Sequence, residues 1–158
     1  MRSGVRLAFD VGKVRVGVAR CDADAILAVP VTTLHRDRYG GDLEEAADLV
    51  ADHNALEVIV GLPRNMSGGS SSSTHDARGW ARRLAGMIAP VPVRLVDERM
   101  TTITAHRELH ESGRREKSFR SVVDQAAAVV ILEQALATER STHAPAGEQA
   151  DPIQRGRQ

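Results

Sequence analysis

At 158 residues, with 42% hydrophobic and 27% charged side chains, the chain suits one soluble globular domain with a single core. Twenty-one Lys and Arg balance 21 Asp and Glu, which removes the simplest signature of a nucleic-acid binder, a basic total. The single cysteine, Cys21, excludes a disulfide framework and a cysteine-based zinc site, and points to a reducing cytoplasm.

The opening Met1-Arg2-Ser3-Gly4-Val5 lacks the apolar stretch of a signal peptide. No apolar run approaches the roughly 20 residues that span a bilayer, so no membrane partner is expected. Val5 to Asp10 alternates apolar and other residues, and Val14 to Ala19 alternates again. With Gly12 between them, the two runs predict a tight hairpin. A third run, Ile26 to Leu34, follows a turn that contains Cys21, which places the thiol near the surface. Pro30 interrupts that run and favours an edge strand.

The period then changes. Leu43, Ala46, Ala47, Val50 and Ala51 share one helical face, and Asp42 with Glu45 reads as a capping box. Leu56 to Gly61 is a short buried-type strand. A loop rich in Gly and Ser follows, Leu62 to Ser73, and then a helix with Thr74 as its N-cap. Its apolar face holds Ala77, Trp80, Ala81, Leu84, Ala85 and Ile88, with Arg78, Arg82 and Arg83 turned outward. Val93 to Val96 is another strand, ending in Asp97-Glu98. Thr101 or Thr102 caps a third helix, to about Glu111. Residues 111–121 read as a basic loop. The last helix runs from about Ser121 to Ala137 and is apolar all round at its centre, Ala126 to Leu132. The order predicts an α/β fold: a mixed five-stranded sheet, three antiparallel strands then parallel βα units, with helices on both faces. The domain occupies residues 1–138. Residues 139–158 offer little to bury and are expected to form a disordered tail.

Three acids occupy odd places. Asp10 ends the first strand on the face of Ala8, Asp97 or Glu98 ends the last strand, and Asp124 opens a buried helix. Taken singly, each is an ordinary turn former or helix-terminal charge. Together, buried carboxylates repel unless a cation compensates them, and hard oxygen ligands suit Mg²⁺ or Mn²⁺. Two such ions about 4 Å apart are a known device for phosphoryl displacement.

Four segments carry a family resemblance: Phe9-Asp10-Val11-Gly12-Lys13-Val14-Arg15-Val16-Gly17-Val18-Ala19, Val60-Gly61-Leu62-Pro63-Arg64-Asn65-Met66-Ser67-Gly68, Val96-Asp97-Glu98-Arg99-Met100-Thr101-Thr102 and Asp124-Gln125-Ala126-Ala127-Ala128-Val129-Val130-Ile131-Leu132. In that order, the chain resembles the YqgF or RuvX family, which is similar to RuvC-type resolvases and has the RNase H-like fold. The sequence departs from the family pattern at Val14, where Lys is frequent, at Arg64, and at Met100.

The resemblance implies a Mg²⁺- or Mn²⁺-dependent endonuclease with Asp10, Glu98 and Asp124 as catalytic metal ligands, and Asp97 as the alternative in the middle position. Arg15 and Arg99, beside those acids, can pair with substrate phosphates or with the acids themselves. Arg114, Arg115, Lys117 and Arg120 can grip a nucleic-acid backbone. The implied substrate is a precursor of small-subunit (16S) ribosomal RNA, cut near its 5′ end, or a four-way DNA junction, which needs a homodimer for two symmetric cuts. Competing classes are a phosphotransferase of the actin and sugar-kinase type and a non-catalytic nucleic-acid binding module. The first resembles two such domains in tandem, and the second needs no converging carboxylates.

Overall fold

Alternation in the first twenty residues becomes a hairpin. β1 (Arg6–Val11) and β2 (Arg15–Cys21) pair antiparallel from Leu7↔Arg20 to Val11↔Val16. The turn closes where the Gly12 N–H donates to the Arg15 carbonyl at 2.8 Å. The computed structural model describes residues 1–64, 69–98 and 117–153, with backbone alone at 117–119. The expected helix from Thr101 or Thr102 to Glu111 and most of the basic loop lie outside the described residues.

β3 (Ala28–His35) pairs antiparallel with β2 and forms one edge of the sheet. Pro30 is tolerated there because an edge strand leaves one row of backbone groups without a neighbour. The ladder register shifts opposite it, between Val18 and Ala19. β4 (Glu57–Leu62) runs parallel to β1, and β5 (Val93–Asp97) parallel to β4. The sheet has six strands among the described residues, in the order β3-β2-β1-β4-β5-β6, against the five expected. The sixth, β6 (Glu148–Gln149), pairs antiparallel with β5.

β6 corrects the expectation of a disordered tail. Ala146 and Ala150 are buried, and Arg94 donates to the carbonyls of Ala146 and Gly147. Gly147 has φ 67° and lies so close to the Leu95 carbonyl that a side chain would overlap it. Arg78 pairs with Glu148, and the Arg82 carbonyl accepts from the Ile153 N–H. These segments are held by backbone groups and two small residues, which leave no apolar pattern to read.

Among the described residues, two helices cover one face of the sheet and a third covers the other. α1 (Gly41–Asp52) and α2 (Ser72–Ile88) pack over Leu7, Phe9, Val16, Val18, Val58 and Val60. α3 (Lys117–Thr142) packs over Ala8, Ala19, Ile59 and Val96. α3 is longer at both ends than the expected Ser121–Ala137. Between Arg120 and Thr142 it is long and apolar enough to cross a membrane by length and composition, contrary to expectation. One side of it serves the core, where Ala127, Ala128, Ile131, Leu132, Ala135 and Leu136 are all buried, while Val122 is exposed.

Local details differ from the expected caps. Gly40, at φ 86°, is the N-cap of α1, and Asp42 is inside the helix. Asp42 is buried, accepts from Trp80 Nε1 at 2.8 Å, and lies 3.3 Å from Arg36 Nε. A carboxylate in the first turn is favoured by the helix dipole and need not cap. Ser71, not Thr74, caps α2; Thr74 sits three residues on and completes the reciprocal pair of a capping box. Cys21 ends β2 and is fully buried, and burial pushes its thiol up.

At the far end of the sheet, Arg6 is 1% exposed and its Nη2 donates to Glu139 Oε2 at 3.1 Å. Arg2 Nη2 bridges Glu139 at 2.5 Å and Glu57 at 2.9 Å. Its guanidinium holds the Glu139 carboxyl down at about 2, against 4.5 ordinarily. That difference is worth about 3 kcal/mol to the folded chain. A depressed carboxyl stabilises above its unfolded value, so the contribution is complete above pH 4.5 and is lost as the pH falls toward 2. Glu139→Gln is therefore expected to lower unfolding stability at pH 7 by about 3 kcal/mol, because it strands buried Arg6. Urea unfolding across pH checks this: the gap from wild type should narrow below pH 4.5, and a gap that stays constant would contradict it.

Candidate active site

Asp10 is the fifth residue of β1 and shares its face with Ala8, the face that α3 covers. Its cross-strand partner is Gly17, and the partner of Gly17 on β3 is Thr33. On the other side Phe9 pairs with Val60, so Gly61 lies one step on, beside Asp10. A row therefore crosses the sheet: Thr33, Gly17, Asp10, Gly61.

Both glycines are there because something lies directly on them. A Cβ on Gly17 would overlap the Asp124 carbonyl, with the Gln125 nitrogen 3.0 Å away. The α3 backbone thus touches the β2 backbone, which only glycine allows. A Cβ on Gly61 would stand 2.6 Å from Glu98 Oε1 and 2.6 Å from Ile131 Cδ1. The Glu98 carboxylate lies over Gly61 and is 8% exposed. Asp10 stands between, with Asp124 at one side and Glu98 at the other.

The neighbour pair Asp97 and Glu98 is separated by strand alternation. Val96 faces α3, so Asp97 faces away, and its carboxylate lies 3.9 Å from Arg64 Nε. Glu98 follows the end of β5 and returns to the α3 side.

Arg15, the first residue of β2, donates from Nε to Asp124 Oδ2 at 2.6 Å, with each side chain about one-fifth exposed. Of the two roles open to Arg15, this one is a pairing with the acid. Among the described residues, no three His, Cys, Asp or Glu side chains are arranged as they stand to hold a metal ion; Asp124 is turned to Arg15. The residue types still suit a hard divalent cation, since carboxylates are hard oxygen ligands and Glu98 is buried. Close carboxylates favour such an ion because it relieves their repulsion.

The start of α3 is pinned beside the row. Ser121 Oγ donates to Thr33 Oγ1 at 2.8 Å, Thr33 donates to the Ser121 carbonyl, and Gln125 Nε2 donates to Thr33 at 3.1 Å. Thr33 and Gln125 were not legible as site residues from their spacing; a glycine inside a strand was the signal available, since it marks close backbone approach. Thr33→Val is expected to cost about 1 kcal/mol, the worth of lost side-chain hydrogen bonds, and thermal unfolding measures it.

Of the cationic candidates, Arg120 is partly buried near that start, and its Nε has no hydrogen-bond partner among the described residues. Lys117 opens α3, with its side chain outside the described residues, as are Arg99, Arg114 and Arg115.

The sequence model of the family described as RuvX, Holliday junction resolvase, matches residues 4–138. A protein of Streptomyces coelicolor is 50% identical over 153 residues, covering 97% of this chain and 92% of its own length. One of Thermobifida fusca is 52% identical over 157 residues, covering 94% and 96%. Both bear the name "Putative pre-16S rRNA nuclease". Among solved structures, Thermus thermophilus RuvC in complex with a Holliday junction substrate aligns with a TM-score of 0.53 at 14% identity, over 88% of this chain and 97% of that one. At that identity the likeness is one of fold; the element order predicts its mixed α/β sheet, and the resemblance implies the RNase H-like fold.

Proposed function

The chain belongs to the RuvX family, and from that premise we propose that it is a divalent-metal-dependent endonuclease that processes the 5′ end of precursor 16S ribosomal RNA. The names of relatives at 50% and 52% identity over nearly the whole chain support the substrate. The observation that supports the chemistry is that the Asp124 backbone lies on Gly17 and the Glu98 carboxylate on Gly61, the two neighbours of Asp10 across the sheet. A purely binding module would not require three such carboxylates, and a kinase-like protein would resemble two domains of this kind in tandem.

Asp10, Glu98 and Asp124 would hold Mg²⁺ or Mn²⁺ through carboxylate oxygens. Such an ion, when bound, activates water and stabilises charge on the transferring phosphate. The glycines let α3 and β5 bring their carboxylates against β1 without intervening side chains. Arg15 orients Asp124 and supplies positive charge where a phosphate arrives. Arg99, Arg114, Arg115, Lys117 and Arg120 provide backbone grip that is independent of base sequence.

The description of the family model favours a second reading, a dimeric resolvase of four-way DNA junctions. One assay separates the two. Fluorescent precursor RNA and junction DNA are incubated with the protein in Mg²⁺, Mn²⁺ or EDTA. Cutting of the RNA in either metal and none in EDTA is expected. Cleavage that survives EDTA would overturn the metal mechanism, and symmetric nicking of the junction with intact RNA would transfer the substrate.

A further inference from the structure

On the opposite face of the sheet, a cavity of about 510 Å³ opens between the β3–α1 loop and α2. That volume is in the range of small-ligand sites, roughly 300–1,000 Å³. Leu43, Met87 and Ile153 give it an apolar floor, with Trp80 buried beneath. Arg36, Arg38, Tyr39 and Arg83 stand at its rim.

The rim has an unusual member. Tyr39 is the chain's single tyrosine and is 74% exposed. The Arg38 guanidinium lies 4.9 Å from its ring centroid and donates to its hydroxyl at 2.8 Å. An exposed aromatic ring with a stacked arginine is how proteins hold an unpaired base. The loop that carries the pair is stiff. The Asp37 carboxylate accepts from the backbone N–H groups of Tyr39 and Gly41, at 3.0 and 3.1 Å. Arg36 is committed inside the protein, to both Asp76 oxygens and to the Gly12 carbonyl. Arg38 and Arg83 are both exposed, and either can meet an incoming phosphate, Arg38 by turning from the Tyr39 hydroxyl.

The cavity and the carboxylates share one end of the sheet. β3 runs parallel to β1, and its last residue, His35, pairs with Arg15. The Arg36 N–H donates to the Val14 carbonyl at 2.8 Å. The β1–β2 turn therefore separates the cavity rim from Asp10. A strand cut at Asp10 can pass over that turn, beside Lys13, and reach Tyr39.

We propose that this cavity seats one nucleotide of the single-stranded RNA flanking the cut, its base on Tyr39 and the apolar floor and its phosphate against Arg38 and Arg83. The inference rests on the nuclease reading for its ligand. Its test does not use cleavage. Trp80 is the only tryptophan in the chain and lies fully buried behind the cavity wall, hydrogen-bonded to Asp42, so its emission reports a change in that wall. Wild type, Tyr39→Ala and Arg38→Ala are titrated in EDTA with a short single-stranded oligoribonucleotide, with the same sequence as a duplex, and with free UMP.

The single strand should shift wild-type Trp80 emission, and each variant should bind it about tenfold more weakly or worse. The duplex should leave Trp80 unchanged, since its bases are stacked away. Unchanged emission with the single strand, or variants that bind as wild type does, would overturn the proposal. UMP binding as tightly as the strand would make this a free-nucleotide site and overturn it too. The two readings fail separately: a protein that cuts precursor RNA with a silent Trp80 keeps the nuclease reading and loses the cavity. A protein that shows the Trp80 response yet never cuts loses only the nuclease.

Discussion

Asp10→Asn is expected to abolish cleavage of precursor RNA, by at least about a thousandfold, while the protein still binds the RNA. A thousandfold corresponds to about 4 kcal/mol of transition-state stabilisation. The change is nearly isosteric and removes only the charge. Asp10 sits at the centre of the row, between Gly17 and Gly61, so no neighbouring carboxylate can replace it. Glu98→Gln should behave alike, because the Glu98 carboxylate lies over Gly61. Asp97→Asn should retain most activity, since Asp97 faces Arg64 on the other side of β5. The measurement is single-turnover cleavage in Mn²⁺ with binding followed separately. Normal cutting by Asp10→Asn, or loss of activity in Asp97→Asn with Glu98→Gln intact, would reject the assignment.

Gly17→Ala is expected to be strongly destabilising. Its Cβ would coincide with the Asp124 carbonyl, which is backbone and cannot rotate aside. α3 would have to lift from β2, opening the core of Ala8, Ala19, Ala128, Ile131 and Leu132. Overpacking commonly costs about 1–3 kcal/mol, and a backbone obstruction belongs at the top of that range. Activity should fall with stability, because Asp124 moves with the helix. Gly79→Ala is the control. It lies inside α2, and its Cβ would meet only Arg83 Nη1 at 3.7 Å, so it should stabilise by about 0.5–1 kcal/mol. Equal melting temperatures for Gly17→Ala and wild type would show that α3 does not press on β2 as described.

The strands of the first half were legible because alternation is strong there, and Pro30 marked the edge. The carboxylates were legible as residues and, through the family resemblance, as a set. Why they meet was not. That depends on the register of Asp10 against Gly17 and on how closely α3 lies on β2, both long-range properties. β6 was hidden because its residues are polar and only Ala146 and Ala150 anchor it. Asp42 reads as a cap from its position, and its real partner, Trp80, is 38 residues away. Cys21 falls in a polar stretch of sequence yet ends β2 inside the second core.

Diffraction from a crystal soaked in manganese tests the union of the three carboxylates most directly. An anomalous peak bordered by oxygens of Asp10, Glu98 and Asp124, with Arg15 drawn off Asp124, is the expected result. Manganese bound elsewhere, with Arg15 still on Asp124 and these oxygens apart, would contradict it.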